Sequence, residues 1–206
     1  MGVEKVFVKQ VVKKFDIDGF LKNVFERAEI SKIETERTPL GTRIIIYVGR
    51  PGLAISRLRK FERDIIDTLK SEYKIDNPMI DIREVENPYI DARIVAYRIK
   101  KAIERGIHYK KVSMFYLDKI LQNGAVGAEI RIAGKVLGKE RSAVKKFTKG
   151  YILHTGNYKE ELVDTAYAQA FTKPGIVGIQ VKILKKAPEE FVFEKRLVKD
   201  GDTKSE

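Results

Sequence analysis

Three runs of cations have the residue types and spacing for gripping a phosphate backbone. Ser56-Arg57-Leu58-Arg59-Lys60 follows closely on the turn Gly49-Arg50-Pro51-Gly52, which adds Arg50. Lys110 and Lys111 stand side by side near the middle of the chain. Arg131 and Lys135 alternate with small and apolar residues, Lys139 and Arg141 come next, and Lys145 and Lys146 return soon after. Cations spaced in this way suit phosphates several ångströms apart, with Arg able to make bidentate contacts. An ordinary solvated basic surface is the alternative for each run. The proximity of Lys110 and Lys111 to the Arg131–Lys146 stretch favours RNA as the partner.

Composition narrows the partner further. The 206 residues carry a net charge of +12 and a pI near 9.6, which points to a polyanion. The charge is uneven: residues 1–88 hold 17 Lys/Arg against 15 Asp/Glu, and residues 89–206 hold 24 against 14. With 43% hydrophobic and 34% charged residues, the chain can bury real cores, and no apolar run approaches the roughly 20 residues of a membrane span. Cysteine is absent, which excludes disulfides, zinc knuckles and thiol catalysis. The start MGVEKVFVKQ lacks the apolar region of a signal peptide, so a soluble cytoplasmic protein is expected.

The elements that must position these cations read as follows. Val3–Val12 alternates and suggests an extended arm. Asp16-Ile17-Asp18 could cap a helix to about Ala28, burying Phe20, Leu21, Val24 and Phe25. Ile30–Glu36 is a weak strand, and Thr38-Pro39-Leu40-Gly41 a turn into the β-branched strand Arg43–Val48. Leu53-Ala54-Ile55 fits one helical turn, Ser56–Lys60 a basic loop, and Phe61, Ile65, Leu69 and Tyr73 one stripe of a longer helix. Met79–Val85 is a strand with Ile80 and Ile82 on one face. Asn87-Pro88 is the linker, separating 1–88 from 89–187, and 188–206 reads as a charged, disordered tail.

In the second half Asp91 caps a helix with the apolar stripe Ala92, Val95, Ile99, Ala102 and Ile103, ended by Gly106. A second helix, Tyr109–Gln122, stops at Asn123-Gly124. Strands are expected at Ala128–Val136, Ser142–Leu153, Leu162–Phe171 and Ile176–Leu184, the last two joined through Lys173-Pro174-Gly175. Alternation in the first puts Ala128, Ile130, Ile132 and Gly134 on one face and Glu129, Arg131, Ala133 and Lys135 on the other. The fold class is α+β, with two helices on a four-stranded sheet in the second half.

The order helix, strand, strand, helix pair, strand in the first half resembles a type II KH domain, a module that presses a single-stranded backbone between its two helices. KH domains carry G-x-x-G between those helices, where missing side chains let the loop approach a phosphate. Here the four positions are Ser56-Arg57-Leu58-Arg59. The departure implies contact through cationic side chains instead of through backbone.

A second resemblance covers roughly residues 2 to 186. GAVGAEIRIAGKVLGKERSAVKKFTKGYILHTGN followed by ELVDTAYAQAFTKPGIVGIQVKIL resembles the C-terminal domain of the family of small ribosomal subunit protein number three, in its archaeal and eukaryotic form. RTPLGTRIIIYVGRPGLAI, NPMIDIREVENP and DARIVAYRIKKAIERGIHYKKV resemble the same family in the same order. The resemblance implies a structural protein of the small-subunit head, bound to small-subunit rRNA and neighbouring head proteins, and lining the channel by which mRNA enters. It also implies an archaeal source and no cofactor. The bacterial form uses three cations on one helix to help unwind mRNA; two match Lys110 and Lys111, and the third falls on Met114, which weakens that role here.

Enzymatic readings fare worse. Gly124–Gly127 and Gly175–Gly178 match G-x-x-G only as strings and read as turns before strands. No Walker lysine or dinucleotide fingerprint occurs. His108 and His154 are isolated and fit polar contacts within the fold. A free KH-type nucleic-acid-binding regulator and, remotely, a lysine-dependent DNA-nicking enzyme are the alternatives.

Overall fold

A computed structural model of the chain describes residues 3–38, 41–73, 75, 77–135 and 141–186. Side chains of 3–7, 9, 10, 13 and 37 lie outside that description. Two compact units part between Glu86 and Asn87, each with its own apolar core. The expected tail 188–206, the turn residues Pro39 and Leu40, and Lys139 fall outside the described residues.

The first unit runs α1 (Val3–Val24), a 3-10 turn (Glu26–Ala28), β1 (Ile30–Thr38), β2 (Gly41–Val48), α2 (Pro51–Ser71) and β3 (Pro78–Glu84). Its sheet has the order β1-β2-β3, with β1 antiparallel and β3 parallel to β2. The parallel pair requires a crossover, and α2 supplies it. Ile44, Ile46 and Val48 of β2 are buried with Leu21 of α1, Phe25 just after it, and Ile65 and Leu69 of α2. Gly41 is needed where β2 and β3 begin side by side: a Cβ there would lie 2.5 Å from the Asn77 carbonyl oxygen.

Three expectations for this unit are corrected. Val3–Val12 is the first part of α1, not an extended arm; Val8, Val11, Val12 and Phe15 fall at helical spacing and remain exposed. Asp16 and Asp18 therefore lie inside a helix and cap nothing, and Ile17 joins Leu21 and Phe25 in the buried stripe. Ser56–Lys60 is helical, not a loop. Arg, Leu and Lys are strong helix formers, no glycine interrupts them, and half-buried Leu58 packs on the core. The helix pair survives as one element broken at Phe61 (φ −120°, ψ 18°), whose ring is exposed instead of belonging to the buried stripe.

The second unit runs α3 (Ala92–Glu104), α4 (Tyr109–Gln122), β4 (Gly127–Gly134), β5 (Ala143–Gly150), α5 (Asn157–Leu162), β6 (Val163–Thr172) and β7 (Gly175–Leu184). The four strands form one antiparallel sheet of order β5-β4-β7-β6. α3 lies across β6 and β7, and α4 across β4 and β5, all on one face. Ala128, Ile130 and Ile132 face the helices with Ile179, Val181 and Ile183, as the alternation predicts. Asp91 caps α3 by accepting from the amides of Arg93 (2.9 Å) and Ile94 (3.0 Å). His108 caps α4, its Nδ1 accepting from the Lys110 amide at 3.2 Å. Gly106 (φ +83°) closes α3, its amide donating to Ile103 O.

Two expectations differ here. β5 stops at Gly150, not at Leu153, and the short helix α5 precedes β6. The cause of the early stop is local. Gly150 takes φ +75°, and the paired Gly127 has Tyr151 backbone where its Cβ would be, 2.0 Å from the Tyr151 oxygen. The chain turns off the strand, and Ile152 and Leu153 bury against Val163 and Leu184 instead.

Replacing Asp91 by Ala should remove the cap of α3 and lower unfolding stability by about 1 kcal/mol. Replacing Ile130 by Ala, at the centre of the second core, should cost about 2–5 kcal/mol. Urea denaturation of both variants measures the difference.

Candidate nucleic-acid interface

The expected cations fall into separate groups. On α2, Ser56, Arg59 and Lys60 are exposed at positions that share a helical face before the break at Phe61, and Arg63 is exposed beyond it. Arg57 is set aside from that strip, partly buried, with its guanidinium 6.0 Å from the Phe61 ring. Arg50 stands before Pro51 at the start of α2, its Nε 3.0 Å from the buried carboxylate of Glu29. Because the segment is helical, its interior amides are used within the helix and cannot cradle a phosphate as a glycine loop does. Any anion must be met by side chains.

On the outer face of the first sheet, the described charged residues are mostly paired with one another. Arg43 Nε donates to Asp81 Oδ2 at 2.6 Å. Lys32 Nζ lies 2.6 Å from Glu34, which also accepts from the Tyr47 hydroxyl at 3.1 Å. The Lys32 hydrogen bond and then that of Tyr47 hold the Glu34 carboxyl below its ordinary pKa. Charge on this face is largely spent on itself.

In the second unit, period two separates residues that are neighbours in sequence. Lys146 pairs across strands with Arg131, and Lys145 with Ile132, so Lys145 faces the α4 side and Lys146 the open side. Lys110 and Lys111 are exposed in the first turn of α4, with Met114 and Phe115 exposed one turn on. Lys135 and Arg141 are exposed at the β4–β5 end. The structure thus joins Arg131 with Lys146 on one face, and leaves Lys110, Lys111 and Lys145 on the other.

Sequence reasoning missed what lies beneath the open face. Glu129 points there but is only 3% exposed. Its carboxylate gathers Lys146 Nζ (2.8 Å), Lys182 Nζ (3.8 Å) and His154 Nε2 (3.7 Å). A buried carboxylate is tolerable only when paired, and the chain after Gly150 contributes His154 to these neighbours. His154 therefore has the polar contact within the fold expected of it, as His108 has its cap. Lys182 was readable from the polar positions Gln180 and Lys182 in the apolar alternation of β7. The burial of Glu129 was not, since it depends on a segment outside the sheet.

The Glu129→Ala variant should release Lys146 and Lys182 toward solvent. Single-stranded RNA should then bind more tightly at low salt, with a log–log salt slope steeper by about 0.7 for each lysine released. Fluorescence anisotropy titrations over a salt series give the slope.

Comparison with known proteins agrees across both units. The KH domain family matches residues 16–89, and the family described as Ribosomal protein S3, C-terminal domain, matches residues 99–183. The chain is 38% identical over 195 residues to small ribosomal subunit protein uS3 of Methanocaldococcus jannaschii, covering 93% of each chain. It is 36% identical to uS3 of Methanococcus maripaludis over 207 residues, 99% of this chain and 98% of the relative. With uS3 of Methanobrevibacter smithii the identity is 40% over 182 residues, 88% of this chain and 72% of the relative. Matched in both halves and along nearly its whole length, the chain belongs to the ribosomal protein S3 family.

Proposed function

We propose that the chain is a structural constituent of the small ribosomal subunit head, binding small-subunit rRNA and lining the channel by which mRNA enters, beside neighbouring head proteins. The observation that carries this reading is the near full-length likeness to proteins named as small ribosomal subunit protein uS3. The geometry supports it: exposed cations stand on α2, on α4 and on the open face of the second sheet, and the protein acts by binding, not by turnover. The units proposed to do so are residues 1–88 and 89–187.

The strip Ser56, Arg59 and Lys60 takes the place of a glycine loop, meeting phosphates through side chains of the helical segment before the break at Phe61. Lys110 and Lys111 face mRNA at the entrance. Exposed Met114 leaves that face with one cation fewer than three, so unwinding by this helix is weaker than in a three-cation version. Affinity is mainly electrostatic, with the fold supplying position.

Sucrose-gradient sedimentation of a lysate at moderate salt tests the assignment. The chain should be stoichiometric in small subunits and in translating ribosomes; a peak at the top of the gradient would identify a free regulator instead. In purified subunits, photocrosslinkers at positions 57 and 59 should reach rRNA or mRNA, and silence at both would refute a role for that part of α2. For the isolated chain, the Lys110→Ala, Lys111→Ala double variant should flatten the salt slope for single-stranded RNA by about 1.4, twice the 0.7 expected per contact.

A further inference from the structure

The face of the second sheet turned away from α3 and α4 carries more than charge. Register places Lys146, Arg131, Gln180 and Tyr167 in one row across all four strands. At the spacing of paired strands that row is about 14 Å long. Gln180 Nε2 donates to the Tyr167 hydroxyl at 2.9 Å, which fixes the orientation of a ring that is 74% exposed. Phe171, four residues on along β6 and on the same face, is 64% exposed. Its cross-strand partner Ile176 is exposed as well, and so is Val144 on the opposite edge.

The surroundings of these rings decide what they suit. Lys135 and Arg141 at one hairpin and Lys173 at the other are exposed at the same end of the sheet. Glu129, the carboxylate on this face, is buried toward the far end, and among the described residues no other acidic side chain alternates onto it. Glu104 accepts from the Phe171 amide at 3.2 Å, so the surround is mainly rather than wholly cationic. Bare aromatic rings in such a surround complement a polyanion that also has flat apolar groups to offer. Single-stranded RNA is such a ligand, because every base has a π-face and an unpaired base can leave its neighbours. Duplex RNA keeps its bases stacked away.

We propose that this face is a stacking platform for single-stranded RNA, with Tyr167 and Phe171 under bases and Arg131 on an adjoining phosphate. The inference rests on the rRNA-binding reading above and adds base contacts to its phosphate contacts. Gln180 is a positioning residue, holding the Tyr167 ring.

Anisotropy titration of the full chain with a labelled single-stranded oligouridylate, and with a duplex RNA of equal length, tests the platform. Tyr167→Ala and Phe171→Ala should each weaken single-strand binding about ten-fold, as removal of one stacked base does. The salt slope should not change, because no charge is lost, and duplex binding should stay as in the parent chain. Tyr167→Phe should retain most of the affinity, since it keeps the ring. Both rings are exposed, and an unchanged melting transition checks that the variants fold. Parent-like single-strand affinity in both Ala variants would overturn the platform, as would a crosslinker at position 167 that joins only protein in intact subunits. If the chain sits in small subunits while the Ala variants bind normally, the platform alone fails. If the variants lose single-strand binding while the chain sediments outside subunits, the platform stands and the ribosomal reading fails.

Discussion

Two helices can cover only one face of a four-stranded sheet, and the second unit is organised by that limit. Every second residue of β4 and β7 must turn away from α3 and α4. The helix side takes Ile130, Ile132, Ile179 and Val181 and becomes a core. The residues between them, Arg131, Gln180 and Lys182, cannot be buried there. The same alternation that closes the core therefore spreads a basic, hydrogen-bonding surface on the opposite side. It also separates Lys145 from Lys146, which a reading by sequence proximity would join.

In the first unit the proposed anion surface arises by another route. Its sheet pairs Arg43 with Asp81 and Lys32 with Glu34, while α2 carries several exposed cations in one stretch. A glycine loop would offer backbone amides at close range and little long-range attraction. A helical strip of Arg59 and Lys60 offers charge at the ends of long side chains, which reaches farther but fixes a phosphate less closely. The unit has given up some positional definition for electrostatic reach.

Much of this was legible in the sequence where local and long-range preferences agree. β2, α3, α4 and β7 were readable because apolar period, caps and closing glycine coincide, as at Asp91 and Gly106. The errors lie where one local signal was read alone. Val3–Val12 looked alternating, yet Val8, Val11, Val12 and Phe15 also fit a helical period, and nothing between them and Ile17 stops the helix. Ser56–Lys60 was taken for a loop because a loop stands there in the resembled fold, although its own residues favour helix. At the candidate interface, residue types on the open face were readable from alternation. The face of Glu129 was legible from alternation; its burial was not, because it depends on neighbours such as His154 that come from outside the strand.

The glycine pair at Gly127 and Gly150 has a thermodynamic consequence. Their missing side chains let the chain after β5 lie against β4, where it brings His154 to the Glu129 carboxylate. If that segment lifts, the carboxylate loses one of its polar neighbours and, on the proposed RNA platform, weighs more heavily against a polyanion. A ligand that prefers the shut form must shift the population toward it, by linkage. RNA on the open face would thus tighten residues 151–154 without touching them, and the two glycines set how much local order the bound state can recruit.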